Sequence, residues 1–158
     1  MFVFTDIEGS TRLLASLGSR YEQVLAEHRR LLREALSSHG GVEVDTQGDA
    51  LFFAFQRVGD AVAGAGGGQR ELTTHDFGEA SSCGSAWECT PVSRPRPQRA
   101  TWEQMSTWAR AFCAVAWGGQ IVVSSATAAL EGGEAEEISM RSLGEHALKD
   151  IEKRAKLH

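Results

Sequence analysis

Residues 19–41 restrict the fold more than any other stretch of this chain. Val24, Leu25, His28, Leu31, Leu32 and Ala35 recur at helical spacing, which predicts an amphipathic helix with one stripe on a core. Ser19 and Glu22 stand at capping-box spacing and predict its start, and Gly40-Gly41 predicts its stop. Directly after the stop, VEVDTQ alternates apolar and polar residues as a strand with one buried face would. Gly48-Asp49 then reads as a tight turn and ALFFAF as a strongly apolar second strand, so this stretch is expected to be a β-hairpin.

The flanking segments extend that unit. MFVFT is apolar and aromatic and reads as a first strand; DIEGST is turn-rich, and RLLASLG is short and helical. Residues 59–72 have helical spacing at Ala61, Val62 and Ala65, although three consecutive glycines weaken that helix by roughly 1 kcal/mol each relative to alanine. The order β-α-β-β-α suits an α+β, ferredoxin-like βαββαβ sheet with helices on one face. A chain of 158 residues is the length of one domain, and 42% hydrophobic with 23% charged residues is a globular balance, not that of a disordered tail. The net charge of −5 argues against nucleic acid or an anionic membrane surface as the main partner. No apolar run approaches the roughly 20 residues of a membrane span, and Asp6 and Glu8 interrupt the first apolar residues where a signal peptide would need a basic flank. Cys83, Cys89 and Cys113 lack metal-ligand spacing and cannot all pair, so a reducing, cytoplasmic compartment is expected.

Residues 81–113 differ from the rest. They hold all three cysteines, all three prolines and three of the four tryptophans, with no leucine or isoleucine. Ordinary domain sequence returns at Ala114: GGQIVVSS reads as a turn and strand, ATAALEGG as a short helix with its stop, and ISMRSLGEHALKDI as a closing strand and turn.

Taken in order, FTDIEGST, HGGVEVDTQGDALFFAF, GGQIVVSSATAAL and LGEHALKD resemble the landmarks of the class III adenylyl/guanylyl cyclase family, over about residues 2–80 and 114–151. The resemblance implies a ferredoxin-like domain that works as a homodimer with shared active sites. It implies conversion of ATP, or sometimes GTP, into the 3′,5′-cyclic nucleotide and pyrophosphate with two Mg²⁺ or Mn²⁺ ions. Such ions prefer hard oxygen ligands, lower the pKa of the attacking ribose hydroxyl and neutralise charge on the leaving group. By resemblance Asp6 and Asp49 are the metal carboxylates, the carbonyl of Ile7 assists, and the amides of Gly9, Ser10 and Thr11 face the phosphates near a helix start. Lys149 stands where a lysine reaches the triphosphate in some members. Without the family pattern, Asp6 would read as a cap, Asp49 as a turn residue and Lys149 as a surface lysine. Glu8 reads as a solvated neighbour, His28 as part of the core stripe, and His39 as a helix-end residue suited to the dipole.

The chain departs from the family in two places. Active members commonly read adenine with a lysine four residues before the second metal aspartate; here that position is Asp45, which cannot donate to a ring nitrogen. The motifs expected between GEA and GGQ are also absent: a strand like M-G-M-H-T-G, then Y-V-G, and a helix with V-N-x-A-A-R. A reading-frame slip would account for this, the alternative being a true insertion or a divergent loop. Reading Ala86–Pro91 from the third base of each codon gives Leu/Val/Met, Gly, Met/Val, His/Tyr and then Ser/Pro/Thr/Ala, which admits M-G-M-H-T. The same shift over Glu103–Ala109 admits D-E-Y-V-G. Residues from about 82 to about 110 are then unselected sequence, one central strand and helix of the fold are expected to be lost, and 81–113 is expected to be largely disordered. Arg110 could stand for the arginine that stabilises the pentavalent phosphorus, but the ribose-orienting asparagine is absent, because the chain contains no asparagine. Two functions follow: a cyclase making cyclic AMP, impaired in this copy, or a non-catalytic remnant or pseudocyclase that at most binds metal and nucleotide or dimerises.

Overall fold

The structure, a computed structural model, describes residues 1–78, 85–90, 111, 115–116, 119–131, 139–147 and 155–158. The chain opens with β1 (Phe2–Ile7), α1 (Ser10–Leu17), a 3-10 turn (Gly18–Arg20) and α2 (Tyr21–Ser38). β2 (Val42–Gln47), β3 (Ala50–Ala54), α3 (Val58–Thr74) and β4 (Ser85–Thr90) follow. The remaining elements are β5 (Ile121–Val123), α4 (Ser125–Glu131), β6 (Gly144–His146) and β7 (Ala155–Leu157). The main sheet has the order β2-β3-β1-β4-β5; its first four strands are antiparallel, and β5 joins parallel to β4. The four-strand part is the expected ferredoxin-like α+β arrangement. β6 and β7 form a separate antiparallel pair.

Strand alternation divides the sheet into two unlike faces. Val3 and Ile7 of β1 and Leu51 and Phe53 of β3 face α2 and α3, and pack with Val24, Leu31, Leu32, Leu36, Ala61 and Ala65. On the opposite face Phe4, Ala50 and Phe52 form a smaller cluster with Phe2 and Ala116. The Phe2 and Phe52 rings lie 4.9 Å apart, and Phe4 and Phe52 6.1 Å. At about 25 cal/mol per Å² of apolar surface, the larger, helix-covered cluster carries most of the folding drive.

The helix stripe is borne out: Val24, His28, Leu31, Leu32 and Ala35 are all buried. The stop is as expected too. Gly40 has φ +79°, and Gly41 N–H donates to the Leu36 carbonyl at 3.0 Å. Gly41 is required for space as well, since a Cβ there would sit 2.5 Å from the Phe55 ring. The capping box does not form. The 3-10 turn runs straight into α2, Arg20 at the helix start already has helical angles, and no side chain caps the helix. Ser19 is thus inside a helical turn, whereas a capping serine needs an extended backbone.

α3 forms along its full length despite its glycines. Gly64 and Gly68 are buried, and Gly64 lies against Leu36, His39 and Phe55, so the missing side chains let α3 pack closely on α2. Packing overrides propensity here.

β2 corrects the expected buried face. It is the outer strand, Val42 is 66% exposed, and neither sheet-face cluster draws a residue from it. A β-bulge between Glu43 and Asp45 also breaks the alternation, so Glu43 pairs with Phe53 and Asp45 with Phe52. Glu43 therefore lies on the helix-covered face, where Arg33 of α2 clamps it at 2.7 and 2.8 Å.

The place of the strand expected to be lost is filled. Ser85–Thr90 forms β4 between β1 and β5, with Phe4 opposite Glu88. Strand pairing is made by backbone groups, so residues unrelated to M-G-M-H-T can occupy that register. The rest of 81–113 apart from Ala111, including the stretch expected to hold the lost helix, lies outside the described residues.

Candidate active site

The β1–β3 pairing brings the two sequence-predicted aspartates to one end of the sheet. The last paired residues are Thr5 and Leu51. Asp6 lies one residue past Thr5, and Asp49 two residues before Leu51 in the β2–β3 turn. Thr5 fixes this junction: it is wholly buried, and its Oγ1 accepts the Leu51 N–H at 3.3 Å. Thr5 and the 2%-exposed Ile7 point into the helix-covered core, which turns Asp6 between them to the open face. The Asp6 carboxylate accepts the Ile7 N–H at 3.1 Å.

Asp49 follows Gly48, whose φ of +59° is the left-handed conformation that glycine adopts without strain. One Asp49 carboxylate oxygen, Oδ2, is buried and makes no hydrogen bond. An orphaned carboxylate oxygen is costly unless something absent from the polypeptide completes it. From α2, the Arg29 guanidinium donates to the Gly48 carbonyl. His28, wholly buried beside this turn, has its pKa lowered to about 4 by desolvation, with Asp49 acting in the opposite direction.

Gly9, at φ +66°, ends the loop after β1 and caps α1; its carbonyl accepts the N–H groups of Arg12 and Leu13 at 2.8 and 3.0 Å. Ser10 and Thr11 open α1, where first-turn amides have no intrahelical acceptor. Asp45 shares its face with Phe52 through their pairing, and through Phe52 with Phe4. Its two oxygens accept the Thr46 N–H and the Gln47 side-chain amide, each at 2.8 Å. Arg110 and Lys149 lie outside the described residues.

The structure thus gathers Asp6, Ile7, Gly9, Ser10, Thr11 and Asp49 at one end of β1 and β3, with Asp45 farther along the open face. Among the described residues no group of three or more His, Cys, Asp or Glu side chains could hold a metal ion. His39 is at the C-terminus of α2, as its sequence position suggests, with Nδ1 2.8 Å from the Ala35 carbonyl. Arg29 was not foreseen. On a helix wheel it is one more arginine among three, and only the approach of the hairpin turn distinguishes it.

No family model matches the chain. Receptor-type adenylate cyclase B of Leishmania donovani is 38% identical over 76 residues, which are 48% of this chain and 6% of that protein. The receptor-type adenylate cyclase of Trypanosoma congolense is also 38% identical over 76 residues, 48% of this chain and 10% of that one. The chain therefore spans a small part of the curated relatives it matches. Among solved structures, an adenylate cyclase from Trypanosoma brucei in its monomeric state superposes with a TM-score of 0.80 at 21% identity, over 99% of this chain and 85% of that one. The guanylate cyclase domain of RhGC from Catenaria anguillulae, solved with GTP, gives 0.76 at 14% identity, over 99% and 92%. The chain thus has the fold of the class III adenylyl/guanylyl cyclase catalytic domains, and over about half its length it is similar in sequence to adenylate cyclases.

Proposed function

We propose that this chain is a nucleotide cyclase domain of the ATP-to-cyclic-AMP type that retains its metal half-site and is impaired in the half that orients the nucleotide. The observation that carries the reading is the placement of Asp6 and Asp49 at one end of neighbouring strands, with a buried Asp49 oxygen that nothing in the polypeptide satisfies. The two carboxylates and the Ile7 carbonyl would hold Mg²⁺ or Mn²⁺. Bound there as a pair, such ions lower the pKa of an attacking hydroxyl and neutralise charge on a departing pyrophosphate. The free amides of Ser10 and Thr11 at the start of α1 would bind phosphate oxygens, and Gly9 lets the backbone turn there. As the resemblance implies, the working unit is a homodimer contributing to cyclic-nucleotide signalling, and the cysteine usage points to the cytoplasm. No helix among the described residues is long and apolar enough to cross a membrane.

Two features support impairment. Asp45 occupies the base position with both oxygens engaged by its own strand, so it presents acceptors where an adenine ring nitrogen needs a donor. No asparagine exists in the chain to orient the ribose. A frame slip across residues 82–110 would account for the loss of that asparagine. A wholly non-catalytic module is the second reading, favoured by the same two features. The deciding experiment is cyclic-nucleotide formation by the purified chain with Mn²⁺ and ATP or GTP. Slow, ATP-preferring, Mn²⁺-dependent product supports an impaired cyclase; none from a folded, soluble chain leaves the non-catalytic module.

A further inference from the structure

The metal-site reading leaves open what holds Asp49 in place, since its Oδ2 has no hydrogen bond of its own. The answer lies on the neighbouring helix. The Arg29 side chain extends from α2 to the β2–β3 turn and donates from Nη2 to the carbonyl of Gly48. That carbonyl belongs to the peptide unit joining Gly48 to Asp49. Glycine at φ +59° resists rotation of this unit less than any other residue would, and the Arg29 bond adds a restraint to the Gln47–Ala50 pairing that closes the turn. The guanidinium is wedged into the contact, with its Nε buried and making no hydrogen bond. His28, one residue earlier and wholly buried, lies within electrostatic reach of both Asp49 and Arg29.

We infer that Arg29 is a positioning residue for the metal site: by gripping the Gly48 carbonyl it sets the orientation in which Asp49 offers its carboxylate to a divalent cation. The inference rests on the proposed metal role of Asp49, and its sign separates it from simple electrostatics. An arginine close to a cation site repels the cation, so removing its charge should tighten binding if charge were its only influence. A positioning role predicts the reverse, because groups that orient a ligand typically contribute about 10- to 100-fold to metal affinity.

The test titrates Mn²⁺ into the full chain, following the free ion by electron paramagnetic resonance, with thermal unfolding measured in parallel. Arg29→Gln is expected to weaken Mn²⁺ binding about tenfold or more. Arg29→Lys, whose longer side chain can carry a donor to the carbonyl that the shorter glutamine amide does not reach, should recover most of the loss and replaces the glutamine variant if that one fails to fold. Asp49→Asn should weaken binding at least as much as Arg29→Gln. If Asp49→Asn weakens binding but the Arg29 variants match or exceed the wild type, the positioning role is overturned and the metal site stands. If Asp49→Asn binds Mn²⁺ as the wild type does, the metal reading fails and the role of Arg29 fails with it.

Discussion

Asp49→Ala is expected to remove at least about 100-fold of any Mn²⁺-dependent cyclic-nucleotide formation while leaving the metal-free fold no less stable. The activity term follows from the proposed role. A metal ligand supports several kcal/mol of transition-state charge stabilisation, and each 1.36 kcal/mol is a tenfold change in rate. The stability term has an independent origin. Asp49 buries a carboxylate oxygen with no hydrogen bond, an arrangement that costs on the order of 1–3 kcal/mol. Alanine removes that cost, and Gly48, not Asp49, supplies the positive φ of the turn. Urea unfolding in the presence of a chelator should therefore show Asp49→Ala equal to the wild type or about 1 kcal/mol more stable. Loss of stability together with activity would make Asp49 a structural turn residue instead.

Acidification is expected to destabilise the chain between about pH 6.5 and pH 4 through His28. The imidazole is wholly buried, and desolvation lowers its pKa from 6.5 to about 4. Between those values the unfolded chain takes up a proton that the folded chain refuses, so stability falls as pH falls. At 1.36 kcal/mol per pKa unit the full loss is about 3 kcal/mol, a large share of a small domain's stability. His28→Leu should abolish this increment, flattening a plot of unfolding free energy against pH over that window with chelator present. An equally steep slope in the variant would assign the acid sensitivity elsewhere. Glu43 acts in a separate, lower window. Its pairing with Arg33 brings its pKa to about 2, so its contribution is present above about pH 4.5 and fades as pH falls towards 2. With a third of that side chain exposed, solvent screening keeps the contribution small.

The parts of this fold that were legible in the sequence are those governed by local periodicity. The stripe from Val24 to Ala35, the Gly40-Gly41 stop and the Gly48-Asp49 hairpin each depend on residues close in the chain, and each is found as expected. What was hidden depends on neighbours distant in sequence. The bulge that puts Glu43 and Asp45 on opposite faces cannot be seen until β3 supplies the register. The exposure of β2 follows from its outer place in the sheet, and VEVDTQ reads the same in an inner or an outer strand. Ser85–Thr90 has no strong strand pattern, yet β1 and β5 offer paired backbone on both sides of it. The Ser19–Glu22 spacing misled because a 3-10 turn leads into α2.

For the site, the aspartates were legible only as part of a family pattern. Asp6 and Asp49 are 43 positions apart, and their approach is a consequence of antiparallel pairing between β1 and β3. Arg29 illustrates the complementary case. Its contact is with a backbone carbonyl, which places no constraint on the identity of Gly48's side chain and so leaves no motif to read.

The most direct test of the account is to restore the reading frame across residues 82–110 and compare cyclic-AMP formation by the restored and present chains with Mn²⁺ and ATP. The account predicts that the shifted frame encodes a strand like M-G-M-H-T-G followed by D-E-Y-V-G, and that turnover rises at least about 100-fold as the lost transition-state contacts return. A shifted frame without those motifs, or a restored chain no faster than the present one, would contradict it.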